Sequence, residues 1–427
     1  MHLEPQHSSI NFKLRIGETS YNNAVTTLFC WGFLGYPLSS FISDALKIES
    51  NEISIIARVI FIIIAFTTAL IGYLIKRPIP KISHQWLLAY LFFWILYLAR
   101  VLYECIYRSD LLGRPVSEYI LFAFFNSFIG SLCFLNIPTK LSTYYKIQCY
   151  FFSGLLILNL LSIANTIRNP SELIFRGNAN TKLNTITYAI LATGLISQSL
   201  YRMVINPPTK IWNIFIPVLA LPIGMINLLL SGSRGPILSL GLGLLWVIIF
   251  VSKKQNSVKL LVILGILSII SVLISQLVFF EDYVEYLKIR LFADEDSNSF
   301  EGTNIERITF YSEAWQHFLN NPITGDALEV RLFKQYAHNI FLEALMSIGI
   351  IGGFLSLYLV IRINYFYIKI FKKPYFFWLV LLFTQQMLLV LFNGSIGFSS
   401  EFWYCATFAF STFSCYQFRS NSNRISV

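Results

Sequence analysis

Long apolar runs recur along this chain from end to end, and they constrain its fold more than any other feature. A helix of about 20 apolar residues crosses the hydrocarbon core of a bilayer, where every backbone polar group needs a partner within the protein. Charged residues make up 13% of the chain, whereas a soluble domain has about 25%. The sequence therefore predicts an all-α integral membrane protein, with residues 1–427 forming a single polytopic membrane domain.

We expect about twelve transmembrane helices, one for each apolar run. The predicted spans are 24–44, 53–75, 86–106, 117–136, 148–167, 185–204, 211–230, 236–252, 257–280, 339–365, 374–394 and 400–418. The first run lacks a small-residue cleavage site, so it is interpreted as a retained span and not as a signal peptide.

Lysine and arginine are concentrated in alternate loops. The set of loops that holds most of them contains only two acidic residues, Glu4 and Glu18. Short loops rich in lysine and arginine stay in the cytoplasm, so we predict that both termini are cytoplasmic. The net charge of +10 is spread over these short loops. We therefore expect the lipid bilayer to be a partner of this protein, and no nucleic acid.

The outer loop between the ninth and tenth spans, residues 281–337, differs from the others in its length. Its first part is acidic and polar, but four apolar residues then recur at helical spacing: Ile308, Tyr311, Trp315 and Phe318. This pattern predicts an amphipathic helix that lies on the membrane or on the helix bundle. Because long structured loops in compact proteins are usually functional, we look for a site near this large periplasmic loop.

A short turn of small residues, Ser231-Gly-Ser-Arg-Gly-Pro236, lies between the seventh and eighth spans on the outer side. Glycine lets backbone N–H groups approach an anion closely, and the Arg234 guanidinium offers donors that match phosphate oxygens. We predict that Ser231, Ser233 and Gly235 bind substrate beside Arg234. The alternative is an arginine that only snorkels to the membrane interface.

His338 lies where the large outer loop enters the tenth span. Histidine is the side chain best able to move a proton near neutral pH, so His338 is a candidate catalytic residue. The alternative is a polar residue at a helix start with Asn339 as the cap. Arg307 opens the loop helix, and by itself it fits a solvated helix face equally well. Glu343 lies on a different helical face from His338, which argues against a catalytic role.

Other charged residues have simpler explanations. Arg100 and Glu104 are four residues apart, so we predict an ion pair along one helix. Arg58 lies near an outer helix end and can snorkel. Glu401 is typical of an interfacial helix start, and His317 of a surface residue.

Several segments together resemble the O-antigen polymerase and O-antigen ligase superfamily of bacterial membrane glycosyltransferases. They are Ser231-Gly-Ser-Arg-Gly235, the loop segment from Arg307 to Trp315, Asn321-Pro-Ile-Thr-Gly325, and His338-Asn339 with the Gly349/Gly352 pair. The hydropathy profile of the whole chain fits, and the motifs span about residues 228–360. Their order around one large outer loop carries the resemblance.

The resemblance implies an enzyme of the bacterial inner membrane that uses a glycan linked through a diphosphate to undecaprenol. By match, the catalytic residues would be His338, Arg307 and Arg234. Asn339 is predicted to bind substrate beside them. No cofactor and no metal are implied, because two arginines can stabilise a diphosphate leaving group. A chain-length regulator is a further expected partner.

Three functions remain open from the sequence. A polymerase adds the growing chain to another lipid-linked repeat unit, and a ligase adds it to lipid A-core. The compact stretch from Arg307 to His338 favours the polymerase. A transporter or flippase of lipid-linked glycans also fits twelve spans, although we find no repeat between the two halves of the chain.

Overall fold

The computed structural model describes residues 6–47, 50–75, 84–135, 141–168, 183, 185–205, 212–231, 233–250, 304–370 and 374–425. These residues are almost entirely helical. An isolated β-bridge joins Val330 and Gln335 in a loop. The predicted all-α class is confirmed.

The helices of the described residues are labelled in chain order. They are α1 Gln6–Leu46, α2 Ser50–Leu74, α3 His84–Tyr107, α4 Val116–Cys133, α5 Leu141–Arg168, α6 Thr185–Leu200, α7 Trp212–Ser231, α8 Arg234–Phe250, α9 Asn304–Asn320, α10 Ile340–Ile370, α11 Phe377–Phe392 and α12 Ser400–Ile425. Helix α4 is π-helical over Ile120–Ile129, and a π-helical segment, Tyr201–Ile205, follows α6.

Six of these helices are long and apolar enough to cross a membrane: α1, α2, α3, α4, α5 and α10. Three shorter apolar helices occur at Phe215–Ser231, Gly235–Leu245 and Phe377–Phe392. Many apolar helices make this a multi-pass membrane protein. The predicted ninth span, 257–280, and the loop residues 281–303 lie outside the described residues, so the number of twelve spans stays a prediction.

Large aromatic side chains fill the contacts between helices that are distant in sequence. Trp86 on α3 stacks on Phe410 of α12 with ring centroids 4.3 Å apart, and Trp94 meets Trp403 at 5.2 Å. All four are buried. In a bilayer, helices associate through such close van der Waals packing because lipid tails are as apolar as the helix surface.

The loop before α10 docks into a break in that helix at Gly349, which has φ 75° and ψ −161°. The Ile350 N–H donates to the Pro322 carbonyl at 2.8 Å, and the Asp326 N–H donates to the Met346 carbonyl at 2.9 Å. Gly325, with φ 73°, lies against the Ser347 carbonyl. The turn that ends at Gly325 and Gly349, the first glycine of the pair in α10, therefore form one structural junction.

A charged cluster holds this turn in place. Asp326 Oδ2 lies 2.8 Å from His317 Nδ1, and Asp326 Oδ1 lies 3.4 Å from Arg331 and 3.9 Å from Arg108. Although burial alone would raise the pKa of Asp326, the hydrogen bond with His317 and the nearby arginines lower it below its ordinary value. The side chain of His317 is 13% exposed, so the prediction of a surface histidine is wrong.

The same loop also contacts the N-terminal half of the bundle. Arg100 pairs with Glu104 at 2.8 Å, as predicted, and also donates to the Gly325 carbonyl at 3.4 Å. Glu329 accepts from the Tyr119 hydroxyl at 2.6 Å and from the Gly113 N–H at 2.9 Å. Burial raises the pKa of Glu329. The loop is therefore a fixed part of the bundle, which positions the residues that follow it.

Candidate active site at the loop face

One end of the helix bundle, here called the loop face, is formed where residues 107–116, 233–235, 321–339 and 393–399 meet. A cavity of about 500 Å³ lies beneath this face. Its walls include helices from both halves of the chain. The polar and charged side chains that line it include Arg58, Arg114, Glu118, Tyr336, Asn393 and Glu401.

The predicted turn of small residues reaches this cavity through Asn393. A Cβ on Gly235 would lie 2.9 Å from Asn393 Nδ2, so the start of α8 and Asn393 are in close contact. Arg234 is the first residue of α8, which directs the N-terminal N–H groups of a long helix toward this region. Such a helix end favours a negatively charged ligand.

The two serines of this turn are buried. The Ser231 hydroxyl donates to the Leu228 carbonyl at 2.7 Å and accepts from the Ser233 N–H at 3.4 Å. These bonds shape the turn between α7 and α8. Binding of substrate by Ser231, Ser233 and Gly235 remains a prediction.

His338 approaches the cavity through Tyr336. The two rings lie 4.6 Å apart, and Tyr336 is in the cavity wall and also stacks on Phe398 at 5.9 Å. His338 has a left-handed backbone, φ 54°, which is uncommon for a residue other than glycine. A strained residue of this kind persists where the surrounding structure holds it, as at many functional sites.

Helix α9, which carries Arg307, packs against His338. The ring of Phe310 on α9 contacts the ring of His338 at 5.1 Å. Arg307 precedes Phe310 by one helical turn. Helix α9, which carries Arg307, thus packs on His338, and the start of α8, which carries Arg234, contacts Asn393 through Gly235. Catalytic roles for Arg307, His338 and Arg234 remain predictions.

Asn339 caps α10. Its Oδ1 accepts from the N–H groups of Phe341 at 2.9 Å and Leu342 at 3.1 Å, and its Nδ2 donates to the Leu391 carbonyl at 2.9 Å. Both ends of the amide are therefore used to cap one helix and to join it to the end of α11. Asn339 is therefore the N-cap of α10, as the alternative interpretation of the sequence predicts. A role in substrate binding stays a prediction.

Glu343 connects three parts of the loop face. It is buried, and its Oε1 accepts from the Tyr97 hydroxyl at 2.8 Å and the Ser395 hydroxyl at 2.9 Å. Its Oε2 accepts from the Ile396 N–H at 3.1 Å. Glu343 therefore ties α10 to α3 and to the segment that carries the cavity residues Asn393 and Phe398, which is a structural role.

We expect Glu343→Ala to destabilise the protein by about 3 kcal/mol, because three buried donors lose their acceptor. Thermal unfolding of the purified protein in detergent measures the effect. Ser347→Ala, one turn along α10, is the matched control, since the Ser347 hydroxyl bonds only the carbonyl of Glu343 among the contacts described. Equal unfolding temperatures for the two variants would contradict the role assigned to Glu343.

The cavity also contains charged residues to which the sequence analysis assigned no binding role. Arg58 was interpreted as snorkelling, Glu401 as a helix start, and Arg114 was not singled out. All three line the cavity. Arg58 could have been predicted as a binding residue for the same reason as Arg234, because both are arginines near the outer end of a predicted span. The sequence around Arg114 and Glu401 does not predict a binding role, because only the fold brings these two residues to the cavity.

The site combines cations, carboxylates and aromatic rings. Burial raises the pKa of Tyr336, so its hydroxyl stays protonated at neutral pH and remains a hydrogen-bond donor. Guanidinium groups bind phosphate oxygens, carboxylates accept from sugar hydroxyls, and rings pack on apolar sugar faces. In the described residues, no group of three or more His, Cys, Asp or Glu side chains is arranged to hold a metal ion.

Residues 218–357 match the family model described as O-Antigen ligase. The matched segment is about a third of the chain and contains Arg234, Arg307, His338 and the Gly349/Gly352 pair. Among curated proteins, none matches this chain significantly. The family match confirms the resemblance to the O-antigen polymerase and ligase superfamily.

Proposed function

We propose, from its place in the O-antigen polymerase and ligase superfamily, that this protein polymerises lipid-linked oligosaccharide repeat units of a surface polysaccharide. The donor is a glycan joined through a diphosphate to undecaprenol, and the acceptor is a sugar hydroxyl of a second lipid-linked unit. The protein would reside in the bacterial inner membrane, with its termini in the cytoplasm and the loop face outside. A chain-length regulator remains a proposed partner.

The observation that supports this proposal is that the elements carrying the three predicted residues contact the wall of one cavity or a neighbour of that wall. The start of α8, with Arg234, touches the cavity residue Asn393. His338 contacts the cavity residue Tyr336, and α9, with Arg307, packs on His338 through Phe310. The elements that carry these residues are far apart in sequence, and their contacts meet at one end of the bundle.

In the proposed reaction, the acceptor hydroxyl oxygen attacks the anomeric carbon of the donor sugar. The bond from that carbon to the diphosphate oxygen breaks, and the electron pair leaves with undecaprenyl diphosphate. His338 accepts the hydroxyl proton and later returns it to water. Arg234 and Arg307 stabilise the charge on the leaving diphosphate. Direct displacement of this kind inverts the anomeric carbon.

The shape of the described loop favours the polymerase over the ligase. Residues 321–339 are held against α10 by backbone hydrogen bonds and against α3 and α4 by Arg100 and Glu329. This part of the loop forms a close cover over the bundle and not a separate domain that would grip lipid A-core. The ligase is the second candidate function, because the family match includes it by name.

Purified protein supplied with the undecaprenyl-diphosphate-linked repeat unit as its single substrate should produce a ladder of longer lipid-linked glycans. The reaction should need no ion gradient. Products that appear only after lipid A-core is added, each carrying the glycan on the core, would instead identify a ligase. Absence of any glycan transfer, together with movement of the lipid across a vesicle membrane, would support a flippase.

Deletion of the gene gives an independent result in cells. Loss of long chains, with a single repeat unit still attached to the core, is the result expected for a polymerase. Accumulation of free polymer on its lipid carrier would contradict the proposal and indicate a ligase.

A further inference from the structure

Arg58 on α2 has an environment that suits the binding of an anion. Its guanidinium lies over the ring of Phe122 at 3.8 Å and donates to the Ser54 carbonyl at 2.9 Å, with the Ser54 hydroxyl also in contact. The Nε atom is buried and has no hydrogen-bond partner among the described residues. The groups that hold this cation are therefore a ring face and neutral oxygens.

The charge of Arg58 lacks a close acidic partner. No ion pair within 4.0 Å joins Arg58 to a carboxylate of the described residues, although Glu401 and Glu118 act on its charge from farther away. A guanidinium at this depth is costly without an anion, and arginines within spans usually face a cavity that serves a substrate. Arg58 lines the cavity of the loop face.

A second guanidinium is nearby on the same wall. Arg114 lies over the ring of Phe398 at 4.8 Å, and Phe398 contacts Phe122, which lies under Arg58, at 4.9 Å. Arg114 also pairs with Glu118 at 3.3 Å. Two cations therefore lie on two neighbouring rings.

A continuous row of rings joins these arginines to the proposed catalytic histidine. Phe122 contacts Phe398, Phe398 stacks on Tyr336 at 5.9 Å, and Tyr336 contacts His338 at 4.6 Å. A ligand with its anion at Arg58 can thus extend along the cavity wall toward His338. Aromatic faces of this kind suit the sugars between the anion and the reacting atoms.

An apolar groove adjoins the cavity at Leu34. Leu34 on α1 lines the cavity and also lines this second, mostly apolar groove of about 530 Å³ between α1 and α5. The other side of that groove includes Gly154, where a side chain would collide with Leu34. An anion attached to a long hydrocarbon chain can therefore have its head in the cavity and its tail in the groove.

We propose that Arg58, supported by Arg114, binds the diphosphate of an undecaprenyl diphosphate lipid, so that the N-terminal half of the chain contributes directly to substrate binding. This proposal deepens the proposed function, on which it rests for the identity of the lipid. Polymerisation requires two lipid diphosphates at once, and the arginines of both halves of the chain would then be needed.

The test uses the full-length protein in phosphatidylcholine nanodiscs and measures the binding of glycan-free undecaprenyl diphosphate. We expect Arg58→Gln to weaken binding at least tenfold and Arg114→Gln to weaken it severalfold. Arg202→Gln is the matched control, because Arg202 also lies over a ring, that of Phe152 at 4.2 Å, but does not line the cavity. The Arg202→Gln variant should bind undecaprenyl diphosphate as tightly as the wild type does.

Undecaprenol, which lacks the diphosphate, should bind the wild type at least tenfold more weakly and should not distinguish the variants. Wild-type affinity in Arg58→Gln would overturn the proposal. So would displacement of undecaprenyl diphosphate by phosphatidylglycerol at equal concentration, because the site would then accept any anionic lipid. If Arg58→Gln fails to fold, the exposed Arg114 still provides the test, and unchanged binding in Arg114→Gln would then overturn the proposal.

Binding of glycan-free lipid does not depend on transfer. A chain that binds undecaprenyl diphosphate through Arg58 but transfers no glycan would contradict the proposed function alone. A chain that transfers glycan, with unchanged binding in Arg58→Gln, would contradict this inference alone.

Discussion

Replacement of His338 by asparagine should reduce glycan transfer by about 10²- to 10⁴-fold, the contribution typical of a general base, while the protein still folds. The backbone of His338 is left-handed, with φ 54°. Asparagine adopts this conformation more readily than most residues, so His338→Asn removes the imidazole without adding backbone strain. Transfer is measured with purified protein and the lipid-linked repeat unit at matched protein concentrations.

Two further variants separate chemistry from structure. His338→Ala should lose the same activity and should be less stable than His338→Asn, since alanine tolerates a positive φ less well than asparagine. His84→Ala, at the start of α3 and at the other end of that helix from the loop face, should retain full activity. Wild-type transfer by His338→Asn would exclude His338 as the base.

The second large effect is expected from Gly349→Ala, which should lower the free energy of unfolding by about 3 kcal/mol or more. Gly349 has φ 75°, and a Cβ there would collide with the Ile323 carbonyl and lie 2.7 Å from the Pro322 oxygen. Both obstacles are backbone atoms of the docked turn, so the collision cannot be relieved by a change of rotamer. To make room for the alanine methyl group, the turn that contains Pro322 and Ile323 has to move out of the break in α10.

Thermal unfolding and protease cleavage at Arg331 and Lys334 report this change. Gly241→Ala in α8 is the matched control, because nothing lies within 4 Å of a Cβ at that position. There alanine should leave stability unchanged or raise it slightly, as alanine is the better helix former. An unfolding temperature for Gly349→Ala equal to that of Gly241→Ala would contradict the role assigned to the junction.

Loss of the docked turn should also reduce transfer. The turn lies between α9, which carries Arg307, and the segment that leads to His338, and these elements meet through Phe310. Gly349 is therefore a positioning residue for the site. The close approach of the turn backbone explains why position 349 of the motif is glycine.

The predictions from sequence were best for features that depend on neighbours in the chain. Helix α10 begins at Ile340 with Asn339 as its cap, within one residue of the predicted span. The helix predicted from Ile308 to Phe318 falls within α9, Asn304–Asn320. The pair of Arg100 and Glu104 was predictable because four residues bring two side chains together on any helix.

Hydrophobicity and helical periodicity are local properties, and by themselves they determined that this chain is helical and that it is built for a membrane. The packing of helices distant in sequence decided the rest. It placed Arg58 and Arg114 on neighbouring rings, made Glu343 a junction between α10, α3 and the segment after α11, and turned His317 inward to Asp326. Buried polar groups need partners, and which partner each one finds depends on which helices pack together.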